Sequence, residues 1–264
     1  MSALALSLGT TLTASRVLVG RSVKHSLRDA EVLLMAITLP VMLMLLFTFV
    51  FGGAISDDQG AYAAYVTPGI ILLCAGFGAS SSGVYVARDL STGTIDRLRT
   101  MPIPAATVLV GHVVASLLRN LVATAVVVVV GVLIGYRPEA GPGGWLAAVL
   151  LIALWILAIT TLFAFIGLGA GTPEAASGYG FVVLFLPYVS SAFVPADTLP
   201  SWLRGFAEHQ PITPVIESIR ALLSGVSPDA GVLAAAVAWS LAILVLAAAA
   251  VAWLFPRRAL RRAG

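Results

Sequence analysis

The amino-acid sequence predicts an all-α integral membrane protein with six transmembrane helices. Hydrophobic residues make up 59% of the 264 positions and charged residues only 10%, and the mean hydropathy is +1.02. Soluble domains contain about a quarter charged residues, so this composition indicates a chain that lies in a bilayer. The core of a bilayer requires about 20 apolar residues in an α-helix, and six stretches of the sequence qualify.

These apolar stretches form one membrane domain between two short cytoplasmic segments. We predict a cytoplasmic tail with an amphipathic interfacial helix at residues 1–31, the transmembrane domain at 32–255 and a basic tail at 256–264. The N-terminal segment mixes apolar residues with Arg16, Arg21 and Lys24 and contains no proline, which is typical of a helix on the inner membrane surface. The predicted spans are residues 32–51, 65–86, 105–134, 145–170, 178–194 and 232–255.

The basic residues predict the orientation of these spans. Cytoplasmic loops carry an excess of lysine and arginine. Because the number of predicted spans is even, both termini are expected in the cytoplasm of a multi-pass protein of the cell membrane. Eleven of the fifteen basic residues fall on that side: Arg16, Arg21, Lys24, Arg28, Arg88, Arg97, Arg99, Arg257, Arg258, Arg261 and Arg262.

The third predicted span carries two polar residues, Arg119 and Asn120, at its midpoint. Thirty residues of helix are about 45 Å long, more than the bilayer core needs. In one interpretation the helix begins below the membrane and Arg119 extends to the cytoplasmic headgroups. In the other, Arg119 and Asn120 face a wet cavity and line a pathway through the membrane. Both interpretations stay open at this point.

Small residues predict where helices approach each other closely. Ala75, Ala79 and Gly83 recur every fourth position in the second span, and Gly167 with Gly171 forms a GxxxG pattern at the end of the fourth. We expect close helix contacts at both patterns. Three consecutive serines in the second span could line a pathway, or they could bond to their own helix backbone: Ser80, Ser81 and Ser82.

Several kinds of chemistry are missing from the sequence. It contains no GxxxxGK[ST] phosphate loop, HExxH, CxxC or GxSxG motif. The histidines His25, His112 and His209 lie in separate regions without a nearby carboxylate at ligand spacing, so we predict no metal site. No acidic residue falls clearly inside a predicted span, which argues against a proton-coupled pump. The net charge of +3 gives no indication of a nucleic-acid partner.

Residues 88–104, with the sequence RDLSTGTIDRLRTMPIP, form the one sizeable predicted cytoplasmic loop between spans. Ser91 or Thr92 can cap a short helix, in which Asp96 and Arg99 lie on one face at i, i+3. Two prolines end this helix before the third span. A short charged helix held in this way suits the groove of a soluble partner, and an ordinary solvated loop is the alternative.

A second amphipathic region, at about 195–225, is predicted on the external side. Its prolines divide it into two helices that are too short to span a bilayer. Trp202 lies in the first at a spacing typical of the membrane interface, and Glu217 with Arg220 forms an i, i+3 pair in the second. We expect both half-helices to dip into the outer leaflet or to cap the exit of the bundle.

Three segments resemble one family of membrane proteins. They are YVTPGI at 65–70, the loop at 88–104, and FVPADTLPSWLRGFAEHQPITPVIESIRALLSG at 193–225. Together with the six spans, they are similar to the ABC-2 type permeases, and within that group to the daunorubicin/doxorubicin-resistance permeases. Two residues depart mildly from the family's pattern. The family usually has another acidic residue at the position of Asp96 and an asparagine at the position of Gln210.

The resemblance implies a half-transporter without enzymatic activity of its own. Two permease chains, as a homodimer or a paralogous heterodimer, would bind two copies of a separate ATPase subunit. ATP and Mg would be held by that subunit, with no cofactor or metal on this chain. The segment at about 88–101 would be the coupling helix and the N-terminal helix a second contact. The resemblance assigns the ATPase contact to Arg88, Asp89, Thr94, Asp96, Arg97 and Arg99.

Export of a hydrophobic or amphipathic compound, such as a drug, a secondary metabolite or a lipid, is the function that this resemblance predicts. Export of a glycan or lipo-oligosaccharide is an alternative that rows of aromatic residues would favour, but only 8% of the residues are aromatic. A membrane sensor or immunity protein linked to an ATPase is an alternative of another class, without a soluble sensing domain to support it. A membrane enzyme is the least supported, because no acid, base and nucleophile occur together.

Overall fold

The structure of the protein is a computed structural model that describes residues 30–55, 59–93 and 106–260. Every regular element in these residues is helical. The first helix continues through a π-helical segment, Leu46–Phe51, and the sixth through a 3-10 segment, Leu186–Val189. In chain order the α-helices are α1 (Ala30–Leu45), α2 (Gly52–Ile55), α3 (Gln59–Ser91), α4 (Ala106–Leu133), α5 (Pro142–Ala170), α6 (Pro173–Phe185), α7 (Ser201–His209), α8 (Ile212–Leu223) and α9 (Ala230–Leu260).

Four of the described helices are long and apolar enough to cross a membrane. These stretches are Gly60–Ser91, Val110–Leu133, Pro142–Ala170 and Ala230–Phe255. They coincide with the second, third, fourth and sixth predicted spans, because a long apolar run can satisfy its backbone in a bilayer only as a helix. The described chain is therefore that of an all-α, multi-pass membrane protein.

The other two predicted spans are shorter as helices. The first corresponds to the apolar helix Ile37–Phe51. The fifth corresponds to α6, which has 13 residues, and to the 3-10 segment that follows it. Pro187 lies in that segment, and a proline cannot donate the backbone hydrogen bond that would continue α6. The prediction of six crossings thus stays a prediction.

Helix α3 lies at the centre of the described bundle. It contacts α1, α4, α5, α6 and α8, while α9 packs against α5 and α8. Of the four long apolar helices, α3 is the most buried and α9 the least. The central position of α3 means that any movement of it displaces most of the bundle.

The contact between α3 and α5 depends on small residues, as their spacing predicts. A Cβ atom added to Gly167 would lie 2.2 Å from the carbonyl oxygen of Gly83, so no larger side chain fits between the two backbones. Ala75 and Ala79 are fully buried. Gly171, the second glycine of the GxxxG pattern, instead follows the end of α5 with φ +82°, a conformation that favours glycine.

Two short helices occupy the segment that was predicted as external half-helices, and they differ in burial. In α7, the side chains of Trp202 and Phe206 are 78% and 51% exposed. In α8, Val215, Ile216 and Ile219 are completely buried against the core. The i, i+1, i+4 spacing of these three residues places them on one helix face, so α8 belongs to the bundle and α7 to its surface.

Candidate functional site

Polar side chains are concentrated where α3, α4 and α5 meet in the middle of the bundle. A buried polar group in an apolar interior must be hydrogen-bonded, and in membrane proteins such groups mark functional positions by default. We call this group the inner polar cluster. Its side chains are at most 2% exposed, and with the carbonyl of Gly78 its members are Gly78, Ser82, Ser116, Arg119, Asn120 and Thr160.

Arg119 joins α4 to α3. Its Nη2 atom donates to the carbonyl oxygen of Gly78 at 2.9 Å and to the hydroxyl of Ser82 at 3.4 Å. The side chain is 2% exposed, so it neither extends to the headgroups nor lines an open cavity in this conformation. Neither interpretation of the sequence included the carbonyl that a glycine on the neighbouring helix makes accessible, and the pathway role of Arg119 and Asn120 stays a prediction.

Asn120 and Ser116 extend the cluster to α5. The Asn120 amide donates to the Ser116 hydroxyl at 3.2 Å, and that hydroxyl lies 3.4 Å from the hydroxyl of Thr160. A Cβ atom added to Gly78 would lie 1.7 Å from Oδ1 of Asn120. Gly78 therefore provides both the acceptor for Arg119 and the space for Asn120. Ser116 and Thr160 were not predicted from the sequence, because their hydroxyls give no signal apart from their position in apolar helices.

The three consecutive serines of α3 have different surroundings. Ser82 belongs to the cluster. The hydroxyl of Ser81 donates to the carbonyl of Phe77 in its own helix at 3.3 Å, as the second interpretation of these serines predicts. Ser80 faces α6, where a Cβ atom added to Gly180 would lie 3.5 Å from its hydroxyl oxygen. The pathway role of Ser80 and Ser81 stays a prediction.

A hydrogen-bonded pair joins α3 and α4 at the end of the helices that adjoins residues 94–105. Nε2 of His112 lies 2.8 Å from Oδ2 of Asp89, and the His112 ring stacks on Tyr85 with the ring centroids 6.4 Å apart. The sequence has no carboxylate at ligand spacing from His112, and the structure brings Asp89 beside it from another helix. Asp89 and His112 are separated by 23 residues, and only the antiparallel packing of the two helices brings them together.

Two of the six residues predicted to contact an ATPase lie in the part of the chain that the structure describes. Arg88 and Asp89 lie in the last turn of α3, so residues 88–91 continue that helix and do not open a separate one. The hydroxyls of Ser91 and Thr92 donate to the carbonyl of Arg88. This carbonyl belongs to the last turn of the helix, where carbonyl groups lack a partner within the helix. Four of the predicted contact residues lie outside the described residues: Thr94, Asp96, Arg97 and Arg99.

Arg220 joins α8 to α3 at the opposite end of the bundle. Its Nη2 atom donates to the carbonyl oxygens of Ser191 at 2.7 Å and Tyr65 at 3.2 Å, and the guanidinium lies 3.9 Å from the centroid of the Tyr65 ring. The Tyr65 hydroxyl also donates to Ser191. We call these three residues the outer clasp. The hydrogen bonds of Arg220 are made with these carbonyls, because α8 turns Arg220 into the bundle, while Glu217 also interacts with Arg220 electrostatically.

The family of this chain is shown by its similarity to known proteins. The family described as ABC-2 type transporter matches residues 13–224. The chain belongs to the ABC-2 type transporter family. This confirms the resemblance found in the sequence, and the family implies an ABC transporter with an ATPase partner.

Relatives of this ABC-2 permease carry names from drug resistance. The daunorubicin resistance ABC transporter permease protein DrrB1 of Streptomyces coeruleorubidus is 30% identical over 72% of this chain and 67% of its own length. The "Probable doxorubicin resistance ABC transporter permease protein DrrC" of Mycobacterium tuberculosis is 28% identical over 84% and 80%. DrrB of the same species, a doxorubicin resistance permease, is 27% identical over 88% and 85%. A transport role for the chain follows from the family and these relatives.

Proposed function

We propose that this chain is the membrane subunit of an ATP-driven exporter that moves a hydrophobic or amphipathic compound out of the cell. The observation that carries the proposal is the 30% identity with a daunorubicin resistance permease over 72% of the chain. A drug, a secondary metabolite or a lipid would be the cargo. Four long apolar helices around a small buried polar cluster suit a cargo of low polarity.

The proposed topology has six crossings, with both termini in the cytoplasm. α6 and its 3-10 segment together comprise 17 residues, which extend roughly 28 Å, close to the thickness of a bilayer core. α1, the π-helical segment and α2 follow one another without a break over residues 30–55. These lengths support the first and fifth crossings. The proposed parts are the tail and interfacial helix at 1–31, the membrane domain at 32–255 and the tail at 256–264.

The energy for transport would come from two copies of an ATPase subunit that bind ATP and Mg. Residues 94–105 lie between α3 and α4 in the sequence, and they carry Asp96, Arg97 and Arg99, charges suited to a soluble partner. We assign the ATPase contact to this segment, as the coupling helix, and to Arg88 in the last turn of α3. A second permease chain, identical or paralogous, would complete the transporter.

The inner polar cluster would lie on the transport pathway in a closed state. Arg119 and Asn120 are completely packed in this conformation, and a movement of α3 and α4 together away from α5 would open the cluster on the side of Thr160. On the external side, α7 and α8 would cap the exit, with the exposed Trp202 in the outer interface and the outer clasp holding α8.

The test is transport by the complex of this chain with the ATPase that copurifies with it, reconstituted in proteoliposomes. We expect ATP-dependent accumulation of daunorubicin in inverted proteoliposomes and stimulation of ATP hydrolysis by the drug. Reversing the charges in the variant Asp96→Arg/Arg97→Asp should abolish this stimulation while the chain stays in the membrane. Transport driven by an ion gradient in the absence of the ATPase would contradict the proposal.

A further inference from the structure

Polar contacts join α3 and α4 at two levels. Asp89 and His112, which we call the base clasp, join the helix ends that adjoin residues 94–105. Arg119 joins the same helices deeper in the bundle through Ser82 and the Gly78 carbonyl. The segment that we assign to the ATPase therefore lies in the sequence between two helices that are already bonded to each other.

The two levels share one register. Asp89 lies seven residues after Ser82 on α3, and His112 lies seven residues before Arg119 on α4. Seven residues are about two turns, or roughly 10 Å along a helix, so both contacts lie on the same face of each helix. The antiparallel helices α3 and α4 are thus held at two points on one seam, and they can move as one body.

The base clasp is partly buried, and an aromatic ring packs against its histidine. The side chains of His112 and Asp89 are 20% and 28% exposed, against 49% and 38% for the ion pair of Arg204 and Glu208 in α7. A hydrogen bond between less exposed side chains is stronger because water competes with it less. Tyr85 stacks on His112 and fixes the orientation of its ring, which leaves Nε2 directed at the carboxylate.

We propose that Asp89 and His112 are positioning residues for energy coupling. They hold the ends of α3 and α4 together, so that a displacement of residues 94–105 moves both helices and reaches Arg119. Without the clasp, the same displacement would separate the two helix ends and be lost before it reached the inner polar cluster. This inference rests on the proposed function, and it adds a specific role for two residues outside residues 94–105.

The experiment measures the coupling ratio, defined as daunorubicin moved per ATP hydrolysed, in proteoliposomes of the whole complex. In Asp89→Asn and His112→Phe, the second of which keeps an aromatic ring against Tyr85, we expect this ratio to fall at least about fivefold, a typical size for coupling between sites. ATP hydrolysis and copurification of the ATPase should persist. The exchange variant Asp89→His/His112→Asp should recover most of the ratio.

A crosslink tests whether the base clasp acts by holding the ends of α3 and α4 together. Cysteines at positions 89 and 112 in a Cys74→Ala background, joined by a short bis-methanethiosulfonate reagent, should keep the wild-type coupling ratio, because the crosslink replaces the clasp. Arg204→Ala/Glu208→Ala, which removes the exposed pair, is the matched control and should leave the ratio unchanged.

The outcomes distinguish the inference from the proposed function. Absence of ATP-dependent transport by the wild-type complex would refute the proposed function. An active wild type whose ratio is unchanged in Asp89→Asn and His112→Phe would overturn the base clasp alone. Loss of transport on crosslinking, reversed by a reductant, would overturn it too, since the helix ends would then have to separate.

Discussion

Gly78 is the residue on which most of the inner polar cluster depends. Its carbonyl oxygen accepts a hydrogen bond from Arg119, and the Ser116 hydroxyl lies 3.5 Å from the same atom. The missing side chain leaves room for Asn120 against the backbone of α3. A glycine in a helix interior destabilises the helix by about 1 kcal/mol relative to alanine, and here the cluster offsets that loss.

We therefore predict that Gly78→Ala destabilises the protein, although alanine is the better helix former. The new methyl group would lie 1.7 Å from Oδ1 of Asn120, and overpacking of this kind costs about 1–3 kcal/mol. The melting temperature of the purified chain in detergent should fall, and Gly78→Ala/Asn120→Ala should restore part of it. Gly205→Ala, which has no atom within 4 Å of the added carbon, is the control. A melting temperature of Gly78→Ala at or above the wild-type value would contradict the prediction.

At the scale of elements, the long helices were predictable and their pairing was not. Apolar runs of more than about 20 residues predict a spanning helix wherever they occur, and four described helices follow this rule. Which residues face each other depends on the register of two helices, as the 23-residue separation of Asp89 and His112 illustrates. The direction of Arg119 and Arg220 depends on carbonyl groups of other parts of the chain, on α3 and at Ser191, and the sequence pattern carries no information about those.

The outer clasp makes Arg220 the contact that fixes α8. In Arg220→Ala, the helix would lose its bonds to Tyr65 and Ser191, and hydrogen bonds from a charged group contribute roughly 1.5–3 kcal/mol each. We expect a lower melting temperature and faster proteolysis between residues 190 and 211. Arg220→Lys should recover little, because a lysine cannot stack its charge flat on the Tyr65 ring while reaching two carbonyls.

The matched control for Arg220 is Arg204, whose partner Glu208 lies one turn away on the exposed face of α7. Arg204→Ala should leave both the melting temperature and the proteolysis pattern unchanged. If Arg220→Ala behaved in the same way as Arg204→Ala, the outer clasp would contribute nothing to the position of α8.

At the scale of the whole molecule, α3 links all three polar sites. Asp89 lies at one end, Gly78 and Ser82 in the interior, and Tyr65 near the other end of the same helix. This arrangement is useful for transport only if the base clasp and the outer clasp face opposite sides of the membrane. The side on which α7 lies then depends on whether α6 crosses the bilayer.

Single cysteines in a Cys74→Ala background can decide between the topologies. Glu139, between α4 and α5, and Gly205, in α7, are both exposed positions, and we expect a membrane-impermeant maleimide to label cysteines at both from outside intact cells. Thr92→Cys, at the end of α3, should react only after permeabilisation. A cysteine at position 205 that shares the behaviour of position 92 would show that α6 and its 3-10 segment return to the cytoplasmic side. In that case the six-crossing topology would be wrong, and the outer clasp could not guard an external exit.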